Sequence, residues 1–434
     1  MMYLRAAWLL ILLLPLVVAG QNSTATKSRD VAATPSRQAQ ADRCRRLLES
    51  SVIDFYFPHS IDRENGGYLE VIDSNGQFVA GDKFLTLQAR QLWFFSTLAV
   101  AGIRTDETRA AAKTGYDCLR DKFFDDRHGG YFTKVSPSGE VVDRRKHVYP
   151  SAFVIYAFVE YHRATGQREP LQLAMNLFQT LEKHCHDKMH GGYNEFFYDD
   201  WTPVTDPKES GYIGAIGTKT YNSHLHLLEA FAQLYRETDD ELVGKRLAEL
   251  IDINVDKVRH PDYPCNIDGW NPDWTMVKTE HNLRASFGHD VECAWLVLDA
   301  ADALGIDPKT LVPWAKEIVA YAMEYGYDAK HRGFFYTGPL GKQADDRKKE
   351  WWTQSEALVS MLTLEKLTGD SAYRRYFAET LDFIEQKQIA KQGGWWATLN
   401  EDGSLGQSRS RTSMWQGAYH NGRALLRCEQ LLRR

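Results

Sequence analysis

Along this chain apolar positions recur at spacings of three and four residues, not in alternation. Phe84 to Val100 reads FLTLQARQLWFFSTLAV. Ser151 to His162 (SAFVIYAFVEYH), Tyr221 to Tyr235 (YNSHLHLLEAFAQLY) and Trp352 to Leu367 (WTQSEALVSMLTLEKL) keep the same rhythm. That period belongs to helices. Between them a short signature returns: Gly66-Gly67-Tyr68, Gly129-Gly130-Tyr131, Gly191-Gly192-Tyr193, Asp268-Gly269-Trp270, Arg332-Gly333-Phe334 and Gly393-Gly394-Trp395. Its second position falls at 67, 130, 192, 269, 333 and 394, so the steps are 63, 62, 77, 64 and 61 residues. Six units of this size, one with an insertion, mark a repeat architecture. Each has room for two helices, a turn and a short hairpin. Six helical pairs predict an all-α fold, an (α/α)6 barrel with six inner helices inside six outer ones. An open helical solenoid is the competing arrangement. In a barrel, polar residues on the inner helices line a central cavity and become site candidates.

The amino terminus breaks this pattern. Residues 1–20 hold one Arg (Arg5), then an apolar run of 15 residues ending in Val18, Ala19 and Gly20. The run is short for a membrane span and suits a signal peptide. Residues 21–41 are polar and predict a flexible linker. The single catalytic barrel domain is expected over 42–434, exported to the periplasm or beyond and monomeric. Composition adds two points. With 52 Lys and Arg against 58 Asp and Glu the net charge is -6, which argues against nucleic acid as a partner. Aromatic residues make up 12% of the chain, a composition compatible with stacking on sugars.

Four clusters carry candidate chemistry. Asn222, His226 and Glu229 stand at i, i+4 and i+7 and share one helix face, from which His224 points away. A buried core network is the plain alternative. His224 and His226 lack the i, i+4 spacing of a helical zinc pair and a third ligand. His289 and Glu292 stand at i, i+3 with Asp290 between them, a pattern that suits either an acid/base unit or a capped helix start. Trp352 and Glu356, at i, i+4, set an aromatic plane beside a carboxylate. Trp415, His420 and Arg423 open the last helix, and Arg90 puts a cation on an apolar inner helix, where it must have partners. His184, Cys185, His186 and His190 precede a Gly-Gly turn and are expected at a solvated helix end rather than around a metal.

These motifs, His-Leu-His-x-Leu-Glu-Ala, Ser-Phe-Gly-His-Asp-x-Glu, Trp-Trp-x-Gln-x-Glu-Ala and Trp-x-x-x-Tyr-His-Asn-x-Arg, stand in order. Together they resemble the N-acylglucosamine 2-epimerase superfamily, and most closely its cellobiose 2-epimerase branch, over about residues 42–434. The resemblance implies an (α/α)6 barrel that epimerises a sugar at C2 without metal or nicotinamide cofactor. It implies that His289 and His420 exchange protons with opposite faces of C2, and that His226 assists ring opening or proton handling. It further implies that Arg90 and Asn222 bind sugar oxygens, Glu292 supports His289, Trp352 and Trp415 stack on the sugar, and Glu356 hydrogen-bonds to it. The expected substrate is a sugar, foremost a β-1,4-linked disaccharide with a reducing-end glucose. Free monosaccharides or N-acetyl-hexosamines are the alternative, and a hydrolase on the same barrel, with Glu292 and Glu356 as its carboxylates, is a third. An exported member and the insertion around His260-Pro261-Asp262-Tyr263-Pro264-Cys265 depart from the family pattern.

Overall fold

Twelve long helices alternate between two roles along the described chain. The computed structural model describes residues 35–434, which form one unit. The proposed signal segment 1–20 and the linker up to residue 34 lie outside the described residues. The outer helices are α1 (Arg37–Leu47), α3 (Thr105–Cys118), α5 (Arg168–His184), α7 (Glu241–Asp252), α9 (Val312–Gly326) and α11 (Ser371–Phe383). The inner helices are α2 (Leu85–Val100), α4 (Val148–Thr165), α6 (Tyr221–Thr238), α8 (Phe287–Ala303), α10 (Trp351–Thr368) and α12 (Tyr419–Arg433). Outer helices are amphipathic. In α5 the buried residues are Pro170, Ala174, Leu177, Phe178 and Leu181, one stripe at helical spacing. Inner helices are apolar nearly all round, because they pack against both neighbours and the outer layer.

The ring closes. At its seam Arg90 Nη1 donates to the Trp415 carbonyl at 2.8 Å, the Ala418 amide donates to Gln91 Oε1 at 3.0 Å, and Trp395 Nε1 donates to Ser51 Oγ at 2.9 Å. These bonds join the first repeat to the last and exclude the open solenoid. The start of the domain needs correcting. Residues 37–41, expected in the linker, form the first turns of α1, and Gln40 and Ala41 are buried. Polar composition misled there because α1 is an outer helix with a narrow apolar stripe.

Each outer helix runs into a tight turn closed by one β-bridge: Ile61 with Tyr68, Phe124 with Tyr131, His186 with Tyr193, Arg259 with Asn266, Tyr327 with Phe334, and Ile389 with Trp395. In four of the six turns an inner helix holds the turn through a side chain. Gln88, His224, Asp290 and Gln354 accept the amides of Tyr68, Tyr193, Asn266 and Phe334 at 2.8–3.1 Å. Four repeats add a buried ion pair. Lys83, Lys146, Lys219 and Lys349 donate to Asp62, Asp125, Asp187 and Asp328 at 2.6–2.8 Å. The fourth repeat corrects the sequence reading. Its turn is Arg259–Asn266, not Asp268-Gly269-Trp270. Gly269 and Trp270 instead form a short strand paired with Lys219 and Thr220. This repeat has His260 and Ala285 where those four have the acid and the lysine, and the sixth turn likewise has Ala390 in place of the acid.

Two-residue or three-residue strands lead into five inner helices and pair antiparallel with a strand from the next repeat. Examples are Lys146–His147 with Phe196–Phe197 and Lys349–Glu350 with Thr398–Leu399. These clasps hold the amino-terminal ends of the inner helices at one mouth of the barrel. Among the described residues no helix is long and apolar enough to cross a membrane.

Candidate active site

The helix starts at that mouth surround a cavity of about 340 Å³. Side chains reach it from the first two turns of the inner helices: Arg90, Tyr149, Asn222, His226, His289, Glu292, Trp352 and His420. They occupy the second or third and the sixth helical positions, three or four residues apart on one face. Trp415, Ile213, Tyr336, Glu350 and Trp351 complete the wall. Every inner helix therefore directs the positive end of its dipole toward this mouth.

Eight of the nine site residues expected from the sequence line this cavity; Glu356 does not. It is fully buried behind His420. Its Oε1 takes His420 Nδ1 at 2.6 Å and Arg423 Nη2 at 2.8 Å, and its Oε2 takes Trp295 Nε1 at 3.0 Å. Arg423 and Trp295 can only donate, so Glu356 acts as an acceptor and favours His420 with its proton on Nδ1. The free ring nitrogen, Nε2, is the one left for the cavity. Glu292 is also reassigned. It does not support His289. Arg423 Nη2 donates to its Oε1 at 2.7 Å, and the nearest imidazole nitrogen to it is that of His420, at 3.9 Å. A buried guanidinium between the helices outcompetes the neighbouring ring for the carboxyl.

Arg423 organises the floor. It pairs with Glu229, Glu292 and Glu356 and contacts Tyr419. Burial alone would raise the Glu229 carboxyl, but Arg423, with hydrogen bonds from His226 and Tyr419, holds it down at about 2. Glu229 Oε2 then orients His226 through Nδ1 at 3.1 Å. Glu292 goes the other way. Burial, then the charge of Glu356, pushes it well above the carboxylate range. Its Oε2 has no hydrogen-bond partner among the described residues. Burial thus favours its protonated form, and Oε2 is a polar atom left without a partner in the cavity wall.

Burial keeps all three imidazoles neutral. His289 is lowered to about 3, by burial and then by His226. His226 is lowered by burial against its bond to Glu229. His420 is lowered well below the ordinary range, by burial and then by Arg90 and Arg423. Neutral imidazoles are bases ready to accept a proton. Arg90 has no carboxylate partner among the described residues. It donates to Trp415 O and Tyr149 Oη, both at 2.8 Å, and lies over Phe153 at 4.2 Å. A buried cation without a counter-charge is costly unless a negative ligand visits it. Asn222 Oδ1 is likewise buried and unpartnered.

Glu292, Glu356 and His420 bring their ligand atoms within 4.8 Å of one another, a grouping that suits a cation. Arg423 already donates to both carboxyl groups and supplies the positive charge there. The other histidine clusters are structural. His224 takes the Tyr193 amide through Nε2 and meets Thr220 O through Nδ1, so neither nitrogen is free for metal. His184 ends α5 as expected, but His186 is not simply solvated: its Nε2 faces Glu249 at 3.1 Å. Asp290 holds a turn rather than a ring.

The chain matches the model of the N-acylglucosamine 2-epimerase family over residues 66–423. It belongs to that family. Among curated relatives, the cellobiose 2-epimerase of Bacteroides fragilis is 31% identical over 390 residues, spanning 89% of this chain and 96% of the relative. Among solved structures, the cellobiose 2-epimerase from Bacillus thermoamylovorans B4167 superposes with a TM-score of 0.82 at 28% identity, covering 90% of this chain and 99% of that one. A family 76 α-mannanase from Bacteroides thetaiotaomicron reaches a TM-score of 0.63 at 10% identity, which speaks to the barrel alone. Family membership accounts for the agreement between the repeat count and the motifs.

Tyr149, Ile213, Tyr336, Glu350 and Trp351 were not among the expected site residues. One signal was available for Tyr149: it holds the second position of its inner helix, as Asn222, Trp352 and His420 do. Ile213 comes from a loop that carries no periodicity.

Proposed function

We propose that this protein epimerises the reducing-end hexose of a β-1,4-linked, cellobiose-like disaccharide at C2, interconverting glucose and mannose. The observation that carries the reading is a cavity in which three neutral imidazoles meet an uncompensated buried arginine. His226, held by Glu229, assists opening of the sugar ring. In the open form the aldehyde acidifies the C2 proton. His289 or His420 takes that proton, and the C2–H electron pair moves onto the C1 oxygen as an enediolate. The other ring, which takes a proton from water as the negative charge of the enediolate develops, returns it to the opposite face of C2. Arg90, the Glu292 carboxyl and the helix dipoles stabilise the oxyanion. The same negative charge raises the depressed imidazoles while it exists. Asn222 binds a sugar oxygen, and Trp352 and Trp415 stack on the ring. Glu356 keeps Nε2 of His420 turned toward the substrate.

A hydrolase needs two carboxyl groups flanking the scissile bond, about 5 Å or more apart. Glu292 and Glu356 both accept from one Arg423 nitrogen, so they lie side by side and do not flank anything. Export by residues 1–20 also belongs to the proposal, and mass spectrometry of the mature amino terminus tests it. The decisive experiment is incubation with cellobiose in D₂O, followed by NMR of the reducing end. Glucosyl-mannose carrying deuterium at C2 supports the reading. Release of free glucose would point to hydrolysis instead.

A further inference from the structure

The proposed chemistry uses His226, His289, His420, Arg90 and Glu292. The cavity has another polar side that this chemistry leaves idle, formed by Glu350 and Tyr336 beside Trp352. Glu350 is the residue immediately before α10. A polar side chain in that place can fold back to accept the amides of the first turn, as Ser, Thr, Asp and Asn commonly do. Glu350 makes no such bond. Its Oε1 instead takes the Thr398 hydroxyl at 2.8 Å across the strand pair. The corresponding residues before the other inner helices are Phe84, His147, Thr220, Ser286 and Ala418, and His147 and Thr220 do cap their helices. Glu350 is thus an acid that caps nothing, and no ion pair engages it among the described residues. Burial pushes its carboxyl up to about 7. The Tyr336 phenol lines the same cavity and is raised by burial and then by the charge of Glu350. The Tyr336 ring meets Trp352 edge-on at 6.3 Å, and Trp352 meets His289 at 4.6 Å. Trp352, also 5.8 Å from the His420 ring, therefore lies between the histidines and Tyr336.

We propose that Glu350, assisted by Tyr336, binds hydroxyls of the second hexose and so selects a disaccharide over a free monosaccharide. The proposal rests on the disaccharide reading above. A sugar ring offers several hydroxyl donors and a CH face. A carboxylate acceptor beside an aromatic plane is complementary to both.

Glu350→Gln keeps the size of the side chain and an oxygen for Thr398, and steady-state kinetics on cellobiose and on glucose provide the test. The expected result is selective. KM for cellobiose rises about 10-fold or more with kcat nearly unchanged, while kcat/KM for glucose moves less than about 2-fold. Tyr336→Phe should shift the same ratio in the same direction, and it keeps the test open if the first variant misfolds. Equal losses on both sugars, or no loss on cellobiose in either variant, overturn the proposal. A wild-type protein that converts glucose but not cellobiose overturns the disaccharide reading and the proposal together. That outcome is distinct from an active wild type with silent variants.

Discussion

Carboxylates orient two of the three cavity imidazoles, and the third, His289, has none among the described residues. This asymmetry makes the two proposed proton-transfer residues separable. A positioned acid or base typically contributes ~10²–10⁴-fold, so His289→Ala and His420→Ala should each lower kcat by that order while circular dichroism shows an intact barrel. Each variant should keep one half of the reaction. In D₂O, one should exchange the C2 proton of one epimer only, and the other variant that of the opposite epimer. Full turnover by either would sink the two-base scheme. Glu356→Gln should lower kcat and leave KM nearly unchanged, because Glu356 touches His420 and not the cavity. That residue also marks a limit of sequence reading. Helical spacing placed Trp352 and Glu356 on one face, and they are, but depth along the face decides which one meets the ligand. Depth depends on Arg423, which arrives from a helix 67 positions later.

At the scale of the element, the four buried Lys–Asp pairs tie each turn to the strand that enters the next inner helix. Lys146 is the clearest case. It is buried, pairs with Asp125 at 2.6 Å and also donates to the Gly129 carbonyl at 2.6 Å. Replacing it alone strands a buried carboxylate. Lys146→Met is expected to cost ~3–5 kcal/mol in denaturant unfolding, and adding Asp125→Asn should recover part of that loss. A loss under about 1 kcal/mol would show the pair to be dispensable. The same elements explain what was legible in the chain. Repeat number and inner-helix spans could be read because glycines with positive φ recur in five turns: Gly67 and Gly130, for example, lie at +73° and +79°. A side chain at Gly130 would meet Trp201 at 2.5 Å. The fourth turn dispenses with the glycine and the ion pair. The nearest Gly-aromatic pair, Gly269-Trp270, belongs to a strand. A motif can stand in for a turn only where the turn depends on it.

For the whole molecule, burial of titratable groups in the walls of the ring sets how stability follows pH. Burial lowers His147 to about 3, His224 to about 4 and His289 to about 3. In the unfolded chain these rings take up protons below their ordinary value of 6.5. The unfolded state then binds more protons, so stability falls as the pH drops through 6.5 toward 3. Glu70 and Glu195 behave in the opposite sense. Burial pushes both up to about 8, so they stay protonated in the fold while unfolded carboxyls ionise above 4.5. Here the folded state binds more protons, and stability falls as the pH rises from 4.5 to 8. Glu195 lies 3.9–4.0 Å from nitrogens of His224 and His147. With every partner neutral these contacts are not ion pairs, and they do not offset either trend. Between pH 4.5 and 6.5 the two slopes oppose each other. The melting temperature should therefore form a plateau there and decline on both sides, each group weighing up to a few kcal/mol. Calorimetry from pH 3 to 9 checks this. A melting temperature that climbs steadily to pH 9 would mean that Glu70 and Glu195 ionise within the fold. The Glu70→Gln and Glu195→Gln variants should then flatten the alkaline limb only if the assignment is right, because each removes the group that gives up its proton on unfolding.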